Sequence, residues 1–317
     1  MYGQDSTMQR WLHFIKHNHS YILWFLFFFY TSFSILKSFH FLSGLAAFLI
    51  CLLLYGVSIV LALTVGERIL RYLRHARPVE TAEEKERFLP LFEDTVQRVK
   101  SAGIHIPDIQ PYLIDSAGIN ALAIGKRTVA VTKGALEVFN DDELQAILFH
   151  EIAHIKNGNT VAELLNKIGN GFYSALILLI NGIFTVVDYV LWDSDESGGK
   201  EDSRHQRTFF LVIRFLLNLY VQLILFIGNL FLARNNRKSE LLADRFAYDM
   251  GFGDALIQAL YLLQKLSFSE QGNLTEKLLA KHPRVSLRIG QLEALRDKEK
   301  VETPQPVPAH TYPSTLS

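Results

Sequence analysis

Residues 140–158 read NDDELQAILFHEIAHIKNG. Leu144, Ile147, Leu148, Ile152 and Ile155 recur at helical spacing, Asn140 with Glu143 has the pattern of a capping box, and Asn157-Gly158 supplies a stop. The spacing predicts one well-delimited helix. Inside it, His150-Glu151-Ile152-Ala153-His154 sets two imidazoles at i and i+4, so both rings leave the same face and can converge on one ion. Glu151 stands beside them, off the metal axis, where a carboxylate can take a proton from water activated by that ion. This is the pattern of a zinc-activated hydrolase; the bland alternative is two satisfied histidines on a buried helix face.

The pentapeptide supplies only two ligands. Cys51 is the sole cysteine and falls in an apolar run, which rules out an internal disulfide and argues against a thiolate ligand, leaving nitrogen and oxygen. Downstream, Glu240 and Asp244 stand at i and i+4 in Ser239-Glu240-Leu241-Leu242-Ala243-Asp244, on one face of an expected helix. Alone, such an acid pair reads as a solvated helix face. Beside a two-histidine motif that lacks a third ligand, Glu240 is the leading candidate, and Asp244 can accept the free N–H of a ligating histidine. Zinc, one ion per chain, would then keep an open position, as a catalytic site requires. His13 and His17 share the i, i+4 spacing but have no interposed glutamate, and read as interfacial polar residues.

The chain has 317 residues, and its charge is balanced, with Lys+Arg 32 against Asp+Glu 32, which gives no reason to expect nucleic acid. Its apolar residues are clustered. YILWFLFFFYTSFSIL (21–36) and FLSGLAAFLICLLLYGVSIVLALTV (41–65) carry no formal charge and read as a hairpin of two membrane anchors. A cleaved signal peptide is the rival for the first run, but the run is too long and no small-residue cleavage pattern follows. A second apolar pair, about Gly171–Trp192 and Phe209–Ala233, flanks the polar stretch DSDESGGKEDSRHQR (193–207) and predicts two more spans; a buried or re-entrant hairpin is the alternative. Asp188 and Arg214 interrupt this pair near the connecting loop, where they could pair or reach headgroups. Arg68, Arg71, Arg74 and Arg77 follow the second run and Arg234, Arg237 and Lys238 the fourth, whereas only Lys37 lies between the first two, so both the amino terminus and the catalytic part are expected in the cytoplasm.

Among the polar segments, residues 80–103 alternate as an amphipathic helix with Pro90 as a kink. PYLIDSAGINALAIGKRTVAVTKGAL (111–136) has short β-prone runs punctuated by Ala117-Gly118 and Gly125-Lys126, the pattern of a small antiparallel sheet. A strand beside the metal helix could bind an extended peptide through main-chain hydrogen bonds. Asp254 is placed to cap a helix running to Leu266, and His282-Pro283 to open another. The proline-rich tail from Val301 is expected to be disordered.

HEIAH, SELLAD, the His-Pro pair before a basic helix and INALAIG in a hairpin together resemble the HtpX branch of integral membrane zinc metalloproteases, which also holds the CAAX prenyl proteases. The resemblance runs from the first apolar run to about Leu295. It implies that His150, His154 and Glu240 hold zinc, Glu151 is the base, His282 steadies the developing oxyanion and Arg288 braces Glu240 and Asp244. It places Asn120 and Ala121 along the substrate cleft; Leu122 departs from it, since a phenylalanine is common there. The implied substrates are misfolded or damaged membrane proteins, met at the cytoplasmic face of a bacterial inner membrane.

The expected fold is therefore mainly α with a small antiparallel β-sheet, a zincin-like α+β catalytic domain with four transmembrane helices. The parts are a membrane hairpin (1–66), a cytoplasmic part with the β-hairpin and metal helix (67–169), a second membrane hairpin (170–233), a helical part with the third ligand (234–300) and the tail (301–317). Two rivals remain. In an intramembrane site-two-type protease the metal helix would lie in the bilayer, which Glu143, Lys156 and Asn157 disfavour. A silent zinc-stabilised scaffold would need the ligands but not Glu151.

Overall fold

A computed structural model describes residues 7–38, 42–190, 201–266 and 285–302. The two N-terminal apolar runs form α1 (Thr7–Ser38) and α2 (Gly44–Leu61), packed through aromatic edges such as Phe29 on Tyr55 and tied by Ser32 Oγ to Tyr55 Oη at 2.9 Å. A π-helical turn, Ala62–Gly66, carries α2 into α3 (Glu67–Leu73). After strand β1 (Ala76–Pro78) comes α4 (Ala82–Ser101), started by a Thr81/Glu84 capping box and continuous through Pro90.

Strands β2 (Gln110–Ile114), β3 (Ala121–Ile124) and β4 (Thr128–Thr132) complete a sheet of order β1-β2-β4-β3. The expected antiparallel sheet is corrected here to a mixed one: β1/β2 and β3/β4 are antiparallel, while β2 and β4 run parallel. The reason lies in burial. Every residue of β4 is buried, so this strand takes an inner position with cover on both faces, whereas half-buried β3 is left at the edge. Gly125, at φ 61, makes the turn between them. Four charged residues pin one corner of the sheet. Arg77 binds Glu84 at 2.5 Å and Asp115 at 2.7 Å, and Lys133 binds Asp115 at 2.8 Å.

A short α5 (Lys133–Val138) leads to α6 (Asp141–Lys156), the helix expected from the opening stretch. The Asn140/Glu143 capping box starts it, and Gly158, at φ 70, follows its end. Leu148, Phe149 and Ile152 are fully buried in a core shared with Phe88 and Phe92 of α4, Val129 and Val131 of β4, and residues of α9 (Gly253–Leu266) and α10 (Val285–Glu302). Asp254 falls within the first turn of α9 rather than capping it. His282, Pro283 and residues 303–317 lie outside the described residues.

The second apolar pair forms α7 (Asn159–Asp188) and α8 (Glu201–Ala247), the latter running unbroken through the polar stretch Arg234–Ser239; a π-helical turn, Tyr248–Phe252, joins it to α9. Among the described residues three helices, not four, are long and apolar enough to cross a membrane: Trp11–Ser38, Gly44–Leu73 and Arg207–Leu266. The apolar part of α7, Ile177–Asp188, is shorter. Asp188 pairs with Arg207 at 3.1 Å rather than with Arg214. Arg214 donates instead to Thr185 and Asn181, and Asn181 and Asn218 exchange hydrogen bonds at 2.9 Å.

Candidate metal centre

Helix α6 turns His150 and His154 toward α8, and α8 presents Glu240. The Nε2 atoms of the histidines lie 3.3 Å apart; Glu240 Oε1 is 3.3 Å from His154 Nε2 and Oε2 is 3.4 Å from His150 Nε2. Among the described residues these three side chains form a group able to hold a metal ion. The fit can be tested on distance: ligands at about 2.0–2.1 Å in tetrahedral array stand about 3.3–3.4 Å from one another. Each donor–donor spacing here matches that figure, and the nitrogen and carboxylate donor set suits zinc.

Behind the donors lies a buried acid–base layer. His150 Nδ1 is 2.9 Å from Asp244 Oδ1, so its N–H donates to the carboxylate, and in the neutral ring this leaves the Nε2 lone pair for a metal. Arg288 of α10 grips the same carboxylate, with Nε 2.7 Å from Oδ2 and Nη2 2.5 Å from Oδ1, and lies 3.6 Å from Glu240. All of these side chains are buried; Asp244 and Glu240 are each 3% exposed. Burial and the Arg288 guanidinium oppose a charged His150, but Asp244 and Glu240 outweigh them and pull the imidazole up to about 10. The pocket attracts positive charge at the position where a metal would sit.

Glu151 reaches the sheet edge. Its Oε2 accepts a hydrogen bond of 2.7 Å from the main-chain N–H of Ala123 in β3. This contact was not legible in the sequence, because it depends on β3 being the sheet edge that meets α6. Asn120, at the head of β3, is tied through its main chain to Thr132, and Ala121 pairs with Val131. Both line a cleft of about 290 Å³ with Leu122, Glu151, His154 and Glu240. His282 is the one expected site residue outside the described residues.

The first membrane hairpin also reaches the cleft, which sequence reasoning missed. Tyr21 lines it, and its hydroxyl donates to Asn236, one turn before Glu240 on α8. The only signal was its place at the start of an apolar run, which reads as anchor. Asn18, non-helical at φ −123, bends α1 and donates to the carbonyl of Asn157 at 2.9 Å, docking the hairpin on the end of the metal helix. His13 bonds the Asn157 side chain at 3.3 Å.

The family description "Peptidase family M48" matches residues 90–296. Protease HtpX of Stenotrophomonas maltophilia (strain R551-3) is 30% identical over 217 residues, covering 63% of this chain and 70% of that protein. Protease HtpX of Glaesserella parasuis serovar 5 (strain SH0165) is 32% identical over 222 residues, covering 65% and 72%. Among solved structures, Ste24p of S. mikatae aligns with a TM-score of 0.47 at 16% identity, covering 84% of this chain and 61% of that one. The matched segment holds the edge strand, the helix with both histidines and the two carboxylates of α8, and with it this chain belongs to peptidase family M48, as a membrane-associated zinc metalloprotease of the HtpX type.

Proposed function

We propose that the protein is an endopeptidase that hydrolyses peptide bonds of membrane or misfolded proteins at the cytoplasmic face of a bacterial inner membrane, in a quality-control role. The observation that carries this reading is the convergence of His150, His154 and Glu240 donor atoms beside the Glu151 carboxylate, under the edge strand β3. His150, His154 and Glu240 would hold zinc, which would supply Lewis acidity. Asp244 keeps the His150 tautomer that offers Nε2, and Arg288 keeps Asp244 in place. Glu151 has one oxygen engaged by Ala123, leaving the other to accept the proton of the attacking water and deliver it to the departing amine. An extended substrate adds to β3 through main-chain hydrogen bonds, past Asn120 and Ala121. His282 supports the oxyanion by resemblance.

The quality-control role comes with the resemblance to the HtpX branch, whose relatives are by name proteases. Orientation rests on the arginines and lysines that follow the second and fourth apolar runs, and four spans on the length of those runs. Against the intramembrane rival, α6 is not among the helices apolar enough to cross a membrane. Against the scaffold stands Glu151, which a structural site does not require. The test is Glu151→Gln: zinc stays bound while cleavage of an unfolded membrane protein stops. Cleavage at the wild-type rate overturns the mechanism.

A further inference from the structure

An apolar groove of about 830 Å³ lies beside the metal cleft, between α1, the end of α2 with its π-helical turn, and the start of α7. Phe25, Leu26, Ile59, Leu63 and Leu165 line it, and Tyr21 lines both groove and cleft, so the two share a wall. Two of the groove's helices have bilayer-crossing length and hydropathy, and Leu26 and Leu63 are 57% and 43% exposed. The groove therefore opens toward an apolar phase.

Two polar residues distinguish it from a seam filled by lipid tails. Lys126 lines it from the turn of the β3–β4 hairpin, three residues after Ala123, whose main-chain N–H meets Glu151. Asn166 of α7 lines it too, is 6% exposed, and its Oδ1 has no hydrogen-bond partner among the described residues. A buried acceptor without a donor is unfavourable, and an occupant that brings a donor relieves it. Acyl chains bring none, whereas a polypeptide brings main-chain N–H groups that are free where the segment is extended and in the first turn where it is helical. The terminal torsion of an asparagine is broad, so Oδ1 can turn to meet it.

We propose that this groove receives an apolar segment of the polypeptide substrate, which gives a main-chain N–H to Asn166 and leads over Tyr21 to the edge strand. The proposal rests on the protease reading and adds a route from the bilayer to the cleft. Membrane substrates would be selected by their apolar segment before the strand edge takes the peptide to be cut.

The experiment uses the full-length zinc-loaded Glu151→Gln protein in lipid nanodiscs. The probe is a synthetic peptide with a 20-residue Leu/Ala segment bearing a photoreactive leucine, followed by a polar cleavable stretch. Crosslinks are expected on the groove residues of α1, α2 and α7, reduced at least tenfold by Leu63→Trp, which fills the groove from an exposed position, and by Asn166→Leu, which removes the acceptor. Crosslinks that map elsewhere, or that persist undiminished in Leu63→Trp, overturn the proposal. So does a phospholipid that co-purifies in the groove and is not displaced by the peptide. Groove crosslinks without cleavage by the unmutated enzyme would remove the protease reading and keep the groove; cleavage without groove crosslinks would do the reverse.

Discussion

Replacing Asp244 by alanine separates what the acid layer does for the metal from what it does for the fold. Asp244 Oδ1 faces His150 Nδ1 at 2.9 Å, and both its oxygens take hydrogen bonds from Arg288 at 2.5 and 2.7 Å. Without it His150 loses the acceptor that fixes its tautomer, and such losses weaken metal binding by roughly 10- to 100-fold. At about 1.4 kcal/mol per decade, that is about 1.4–2.8 kcal/mol. The fold pays more. Among the described residues Arg288, 9% exposed, then keeps Glu240 at 3.6 Å and His150 at 3.4 Å, and removing one partner of a buried ion pair costs about 3–5 kcal/mol. Adding Arg288→Met removes the stranded charge, so the double variant is expected to regain most of its thermal stability while metal affinity stays low. Chelator competition measures the first quantity and thermal unfolding in detergent the second. A single variant that holds zinc as tightly as wild type, or a double variant that recovers both quantities together, would refute the role given to Asp244.

Two further outcomes are expected. The Arg77 guanidinium holds the carboxyls of Glu84 and Asp115 well below the usual range, with Lys133 adding to the pull on Asp115. Depressed carboxyls stabilise the fold above their unfolded values, near pH 4, and lose that contribution as pH falls through the folded ones, so Arg77→Met should be less stable than wild type at pH 7, with the gap closing below about pH 4; a gap that is constant with pH would count against the network. For topology, Ser197→Cys in a Cys51→Ser background should react with an impermeant maleimide from the periplasmic side alone, and labelling from the cytoplasmic side would reverse the assigned orientation.

Much of the centre could be read from the sequence because its chemistry is local. His150, Glu151 and His154 sit within five residues, and Glu240 and Asp244 share one turn of another helix, so helical periodicity alone put each set on a common face. Sheet order was a different matter. The runs around Gly125 specify a hairpin, but they do not say which strand turns inward; the complete burial of Thr128–Thr132 decided it, and burial is a property of what packs on both faces. The same non-local cause hid the Ala123–Glu151 bond, which exists only because β3 is the outer strand. Helix α8 was divided in the reading at Arg234, where hydropathy drops, yet its main-chain bonds pass through a polar stretch of good helix formers without interruption.

That continuity bears on what the membrane helices are for. Glu240 follows the apolar run ending at Ala233 by about two helical turns, about 10 Å on a single rod, so its position is set by how α8 sits. The two histidines are set independently, since α6 ends on Asn157 and Asn157 is held by Asn18 in the bend of α1. Tyr21 then closes the arrangement by bonding Asn236, between the bilayer-length helix it belongs to and the helix that carries the third ligand. The candidate ligands stand on two helices that pack on each other and are each also fastened to the first hairpin, which braces donor spacings near 3.3 Å. The apolar helices are thus part of the scaffold around the candidate metal centre, and a soluble fragment lacking them is expected to hold zinc more weakly in chelator competition; affinity equal to that of the full chain would count against this bracing.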